Sequence, residues 1–308
     1  MKTFKTDQEY YGDWEYTTNS QLGYIKKGWE YYEMMKRGGM IDSPALRFGN
    51  LVHTLILEPK EFQRKFVVIN PEDRPEPTKS MASKLNKAWK IKMEEREGVV
   101  IGMDQYNLAL SLRDKLSRID EVKSILDNSE KEVPKCWIDF NTMRKCKGKA
   151  DIVVDGGDML VDIKTTSKPI SEFRKSAYRY NYHRQAAFYL DGFGAKEFVF
   201  IVVETQEPYQ VGIFRCTENF IDQGRQEYVS LLEMLNQPKT KSEDISMSQY
   251  SLLVSIFTKP SIKSNFIACF KSFIQIIVAL GKKSLNSKFF FKSLFLYSID
   301  FFLKSSMS

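Results

Sequence analysis

The sequence predicts an α/β protein with a central mixed sheet flanked by helices. Three observations predict it. Two apolar runs, Ile152-Val153-Val154 and Met159-Leu160-Val161, flank Gly156-Gly157 and read as neighbouring strands joined by a hairpin turn. A helical run from about Ser171 to Asp191 follows. Two more strand-like runs, Ile201-Val202-Val203 and Val211-Gly212-Ile213-Phe214, come after it.

In chain order, residues 1–45 read as a polar, aromatic-rich lead containing a helix around Leu22–Lys36, which Gly38-Gly39 ends. Ser43-Pro44 starts the next helix, with an apolar face of Phe48, Leu51, Val52, Leu55 and Ile56. Phe66–Ile69 reads as a short strand, and Pro71–Thr78, with three prolines, as a loop. Lys84–Glu97 and Asp104–Asp127 read as helices, the second facing the core with Leu108, Leu112, Leu116 and Ile119. Val133–Phe140 is the first strand of the main sheet, and Thr217–Leu235 is a closing helix. The expected organisation is therefore a helical lead (1–45), a core domain (46–237), and a linker from Pro238 into an atypical tail (238–308).

Of the 308 residues, 43% are hydrophobic and 28% charged, ordinary for a soluble globular chain. Met1–Glu15 carries four acids and no apolar run, which argues against a secretory signal and for a cytoplasmic protein. Cys136, Cys146, Cys216 and Cys269 show no Cys-x-x-Cys spacing, which argues against a zinc ribbon. The net charge of +7 is concentrated in residues 245–308, which hold eight Lys, no Arg and one acid. Residues 1–244 balance 38 basic against 38 acidic side chains, so any DNA-binding surface there is a local patch. Arg174, Lys175, Arg179 and Arg184 are candidates for it, or simply a solvated helix face. The tail also holds ten Phe and fourteen Ser. It reads either as an interfacial basic segment or as a degenerate end. No run reaches the ~20 apolar residues a membrane span needs; Phe266–Leu280 is broken by Lys271 and Gln275.

The chemistry lies in Gly148-Lys149-Ala150-Asp151 and Val161-Asp162-Ile163-Lys164. Alternate side chains share a strand face, so Asp162 and Lys164 point one way while Ile163 points into the core. Asp151 meets them from the adjacent strand. Two carboxylates and an ammonium suit a divalent cation and a phosphate ester. The acid-x-Lys triplet alone is weak, arising by chance about once or twice in a chain of this length. Glu58–Lys60 and Glu121–Lys123 are such accidents, and Asp162–Lys164 could equally be an ion pair on a solvated face. The chain has two histidines. His53 is either a satisfied core residue or a ligand. His183 is either DNA-facing or structural. Gln185 and Tyr189 are four apart and share one helix face. Tyr178 and Tyr182 extend that stripe, which could also be core.

Four segments together resemble the PD-(D/E)XK nuclease superfamily, and within it the RecE-like 5′→3′ exodeoxyribonucleases of phages and prophages. They are Leu46–Phe62, Lys147–Asp151, Leu160–Thr166 and Phe173–Gly192, with Asn19–Leu22 upstream. The resemblance spans roughly residues 15–235 and implies a restriction-endonuclease-like core. It implies that His53, Asp151, Asp162 and the Ile163 carbonyl hold Mg²⁺ or Mn²⁺. It further implies that Lys164 is the catalytic lysine and that Gln185 and Tyr189 position the scissile strand. A lysine beside two acids stays charged, which favours electrostatic positioning over a general-base role. The resemblance also implies double-stranded DNA ends as substrate, a role in recombination beside a single-strand annealing protein, and a ring of identical copies.

Overall fold

The structure is a computed structural model, and it describes residues 2–4, 6–39 and 41–237. The expectations for the Phe/Ser/Lys-rich tail and its linker lie outside the described residues.

The chain opens with three helices, α1 (Asp7–Gly12), α2 (Asn19–Ile25) and α3 (Trp29–Lys36). The single helix expected over Leu22–Lys36 is interrupted because Gly28 adopts φ 114°, which a side chain would resist. Next come α4 (Pro44–Leu57), α5 (Phe62–Lys65) and β1 (Phe66–Ile69). Ser43 caps α4 by accepting the Leu46 N–H at 3.2 Å, with Pro44 in the first turn. Pro71–Asp73 is one 3₁₀ turn. Helix α6 (Lys84–Glu97) is followed by β2 (Val99–Gly102), which pairs in parallel with β1 and was not foreseen. The helix expected over Asp104–Asp127 is two, α7 (Met103–Ser117) and α8 (Asp120–Asp127). Ile119 is extended between them, and Asp120 and Glu121 start α8, where its dipole favours acids.

The main sheet follows: β3 (Ser129–Ile138), β4 (Lys145–Val154) and β5 (Met159–Thr166), then α9 (Phe173–Arg179) and α10 (Tyr182–Phe193), β6 (Glu197–Glu204), β7 (Val211–Arg215) and α11 (Glu218–Asn236). Strand β3 starts four residues before the expected Val133 and stops at Ile138. The spatial order is β3-β4-β5-β6-β7, with β5 and β6 parallel and the other neighbours antiparallel. The sheet is mixed, as expected. The long helix over Ser171–Asp191 is broken, because Asn181 takes the left-handed conformation (φ 58°, ψ 36°) between α9 and α10. Asparagine tolerates that region better than most residues.

The strand period of two divides the core. Val199, Ile201 and Val203 of β6 join Val161 and Ile163 of β5 against Leu51, Val52 and Leu55 of α4 and Leu112 and Leu116 of α7. Phe198, Phe200 and Val202 join Leu160 against Ala186, Ala187 and Phe188 of α10, Leu22 of α2 and Leu232 of α11. Helices thus cover both faces. The N-terminal segment is fastened to β4. Thr17 bridges Cys146, exchanging backbone hydrogen bonds of 2.9 Å with Lys145 and Lys147. The buried Lys147 ammonium donates to the carbonyls of Tyr10 and Asp13, beneath the rings of Phe4 and Tyr10 at 4.7 Å. Among the described residues no helix is long and apolar enough to cross a membrane.

Candidate active site

Strands β4 and β5 pair only at Ile152↔Val161, Val153↔Leu160 and Val154↔Met159. Beyond that point they splay. The free edge of β5 there presents both backbone groups of Ile163. Its N–H donates to Asp151 Oδ2 at 3.2 Å, and its carbonyl oxygen lies 2.5 Å from His53 Nε2. That contact places the ring proton on Nε2, and His53 Nδ1 then sits 3.4 Å from Asp151 Oδ2. His53 is a half-buried residue on α4, not part of the apolar core.

Asp162 and Lys164 face the opposite layer. Lys164 Nζ is 2.8 Å from Asp162 Oδ2 and 3.0 Å from Oδ1. Gln185 Nε2 donates to Asp162 Oδ1 at 2.5 Å. Asp162 is 4% exposed, so this is not an ion pair on a solvated face. Tyr189, one turn along α10, packs against β4 at Gly148. Its hydroxyl meets the Lys149 backbone N–H, and a side chain at Gly148 would come within 3.2 Å of its ring. Glycine at 148 thus lets the ring approach the strand. The fold joins His53, Asp151 and Ile163 at the splayed edge and Asp162, Lys164 and Gln185 on the other side of β5, with Tyr189 beside them; the three donors that lie close enough together to share an ion include His53 and Asp151 but not Asp162.

Burial pushes the Asp151 carboxyl up to about 7, and the neighbouring Asp162 charge adds to the effect, against His53 and Lys164. Burial opposes the charge on Lys164, but Asp162, Tyr182 and Asp151 together more than offset it and hold the ammonium charged. Asp162 Oδ2 is buried and, despite its ion pair with Lys164, receives no aligned hydrogen bond. Two crowded carboxylates, an oxygen short of a donor, an outward carbonyl and an imidazole fit a hard divalent cation.

Sequence reasoning missed Glu132. The β3–β4 pairs Lys131↔Ile152 and Val133↔Ala150 bracket it, which sets it opposite Asp151. It takes φ 55° inside a strand and pairs with Lys149 at 2.7 Å. One oxygen each of Glu132 and Asp151 and a His53 ring nitrogen lie within 4.8 Å of one another. Counting back through the hairpin from Asp151 was the available signal; the charged run Ser129-Glu130-Lys131-Glu132 hid it.

Arg184 is not part of a DNA-binding surface. It is 3% exposed and donates to Glu227 at 2.8 Å and Asn19 at 2.9 Å. His183 is likewise internal, 3.0 Å from Glu227. Arg174, Lys175 and Arg179 are exposed. Cys136, Cys146 and Cys216 are free thiols, the first two buried.

A family model described as a PDDEXK-like domain of unknown function (DUF3799) matches residues 13–252. The chain belongs to this family. Two solved structures resemble the chain, the first of them in fold. One, from Eubacterium rectale and provisionally named an exonuclease, is 15% identical with a TM-score of 0.50, over 76% of this chain and 84% of that one. A phage-related exonuclease from Haemophilus somnus 129PT is 14% identical, over 49% of this chain and 80% of that one, with a TM-score of 0.30. No curated protein sequence matches the chain. PDDEXK-like membership supports a nuclease acting on DNA with a divalent metal.

Proposed function

We propose that this PDDEXK-like protein is a RecE-like exodeoxyribonuclease. It hydrolyses phosphodiester bonds of double-stranded DNA from 5′ ends and leaves 3′ single strands for recombination. The observation that supports this most is the splayed β4–β5 edge, where Asp151, the Ile163 carbonyl and His53 meet and the neighbouring Asp162 is held by Lys164 and Gln185. His53, Asp151, Asp162 and Ile163 would hold Mg²⁺ or Mn²⁺, with Glu132 in reach. Bound there, the cation supplies Lewis acidity and lowers the pKa of water. Lys164 sets a fixed positive charge beside the phosphate, in a site where burial strengthens its field. Gln185 holds Asp162 in place, and Tyr189 supports the scissile strand. Residues 46–237 would carry this chemistry, with residues 1–45 bracing it and 238–308 as a basic appendage. An annealing protein would take up the 3′ strand, and a ring of copies would retain the duplex.

The test uses duplex labelled at either the 5′ or the 3′ end, beside covalently closed circles, with and without Mg²⁺. Early release of the 5′ label from linear DNA only, absent in Asp162→Ala, is expected. Early release of the 3′ label overturns the polarity. Nicking of closed circles makes the protein an endonuclease, and retention without cleavage makes it a binding module.

A further inference from the structure

The contacts around Lys164 point to a residue outside the motif set. We propose that Tyr182 is a positioning residue for the reaction, its ring face holding the Lys164 ammonium over Asp162. The inference rests on the reading of Lys164 as the charge that meets the phosphate.

The ammonium sits 4.8 Å from the Tyr182 ring centroid, within cation–π range. The ring itself is fixed. It packs on Phe200 at 5.5 Å and 30°, on Tyr180 at 5.8 Å and on Phe173 at 6.1 Å. Its backbone is fixed too, because left-handed Asn181 starts α10 immediately before it. Asn181 is anchored in turn through its side-chain oxygen, which accepts from Lys26 Nζ at 2.7 Å. The turn at Asn181 sets Tyr182, Gln185 and Tyr189 at i, i+3 and i+7, along one face of α10. Tyr182 meets Lys164, Gln185 meets Asp162, and Tyr189 meets β4.

Lysine is a point charge on a flexible four-carbon stem, and it holds a site only where something restrains it. Asp162 restrains it at 2.8 Å, but the same carboxylate is the natural ligand of a divalent cation. Once Asp162 is shared with a cation, its pull on the ammonium falls. A neutral ring is not drawn away by the cation, so Tyr182 is the contact that persists. The ring face is sufficient for this, and the hydroxyl is not required.

The test reads Lys164 directly. With ¹³C-labelled lysine, the Lys164 ε-methylene signal is assigned by its loss in Lys164→Arg. In the wild type, with and without Mg²⁺, it should be shifted upfield by the Tyr182 ring. Tyr182→Phe should keep that shift and Tyr182→Leu should lose it, with circular dichroism unchanged in both. An unshifted wild-type signal, or a shift that survives Tyr182→Leu, overturns the proposal even if the protein cuts no DNA. In the nuclease assay, Tyr182→Leu should lower kcat about three- to thirtyfold, the range of one such contact, with KM and the Mg²⁺ half-saturation unchanged. Tyr182→Phe should stay within about twofold, because the ring is kept. A Phe variant as slow as the Leu variant overturns the assignment to the ring.

Discussion

Asp151 is an acid whose folded state prefers the proton. Its carboxyl is raised to about 7 by burial and by Asp162, whereas an unfolded chain ionises it near the ordinary value of 3.8. Between those values the folded state binds more protons than the unfolded one. Stability of the metal-free protein should therefore fall as pH rises from about 4 to 7. Asp151→Asn removes that dependence. In chelator, denaturant melts should show the variant close to wild type at pH 4 and about 1–3 kcal/mol more stable at pH 8. A wild-type excess at pH 8 would contradict the crowding of Asp151 and Asp162. Glu132 bears on the same site. Glu132→Gln should raise the Mg²⁺ concentration for half-maximal cleavage about tenfold with little change in melting temperature. An unchanged metal requirement would confine Glu132 to its ion pair with Lys149. Single residues were largely readable here. Asp151, Asp162 and Lys164 stand in a strand pattern that fixes their faces. Glu132 was not, because its position depends on pairing with a strand that starts 13 residues later.

Helices α10 and α11 approach so closely that a Cβ on Gly224 would lie 2.0 Å from the His183 carbonyl oxygen. Neither backbone can give way alone. Gly224→Ala should cost about 3 kcal/mol or more, seen as a large fall in melting temperature or loss of soluble protein. Glu227 of α11 joins the same pair. Burial opposes its charge, but hydrogen bonds from His183 and Lys26 and the Arg184 charge hold it down to about 2. That stabilisation is complete above pH 4.5 and is lost as pH falls toward 2. Glu227→Ala leaves Arg184 buried and unpaired. It should lower stability at pH 7 by about 3 kcal/mol and flatten the acid limb of the curve. The helix breaks show what periodicity conceals at this scale. The stripe of Tyr178, Tyr182 and Tyr189 runs across Asn181 without a glycine or proline to stop it, and only the left-handed tolerance of asparagine hints at the break. At Ile119 the signal was the acidic pair after it; at Gly28 it was the glycine itself.

For the whole molecule, the strand runs on either side of the long helical stretch foretold a sheet flanked by helices. The order of acids, lysine and glutamine foretold the PDDEXK-like fold. The parallel pair β1–β2 was harder to see, since it joins segments 30 residues apart with no hairpin between them. Every site residue lies within the compact unit Met1–Pro238. Ending the chain after residue 252, where the family match stops, should preserve melting temperature and metal binding. It should also remove a strongly salt-dependent, non-specific affinity for DNA, because the basic excess of the sequence lies beyond residue 244. Failure of the shortened protein to fold would place part of the tail in the core.

The splayed edge draws on both layers of the sandwich. His53 arrives with α4 from one face, and Gln185 with α10 from the other. A cation gripped there stitches the two halves of the molecule through the sheet. Hydrogen exchange should therefore slow on α4 when Mg²⁺ is added, although Asp151 and Asp162 stand on strands.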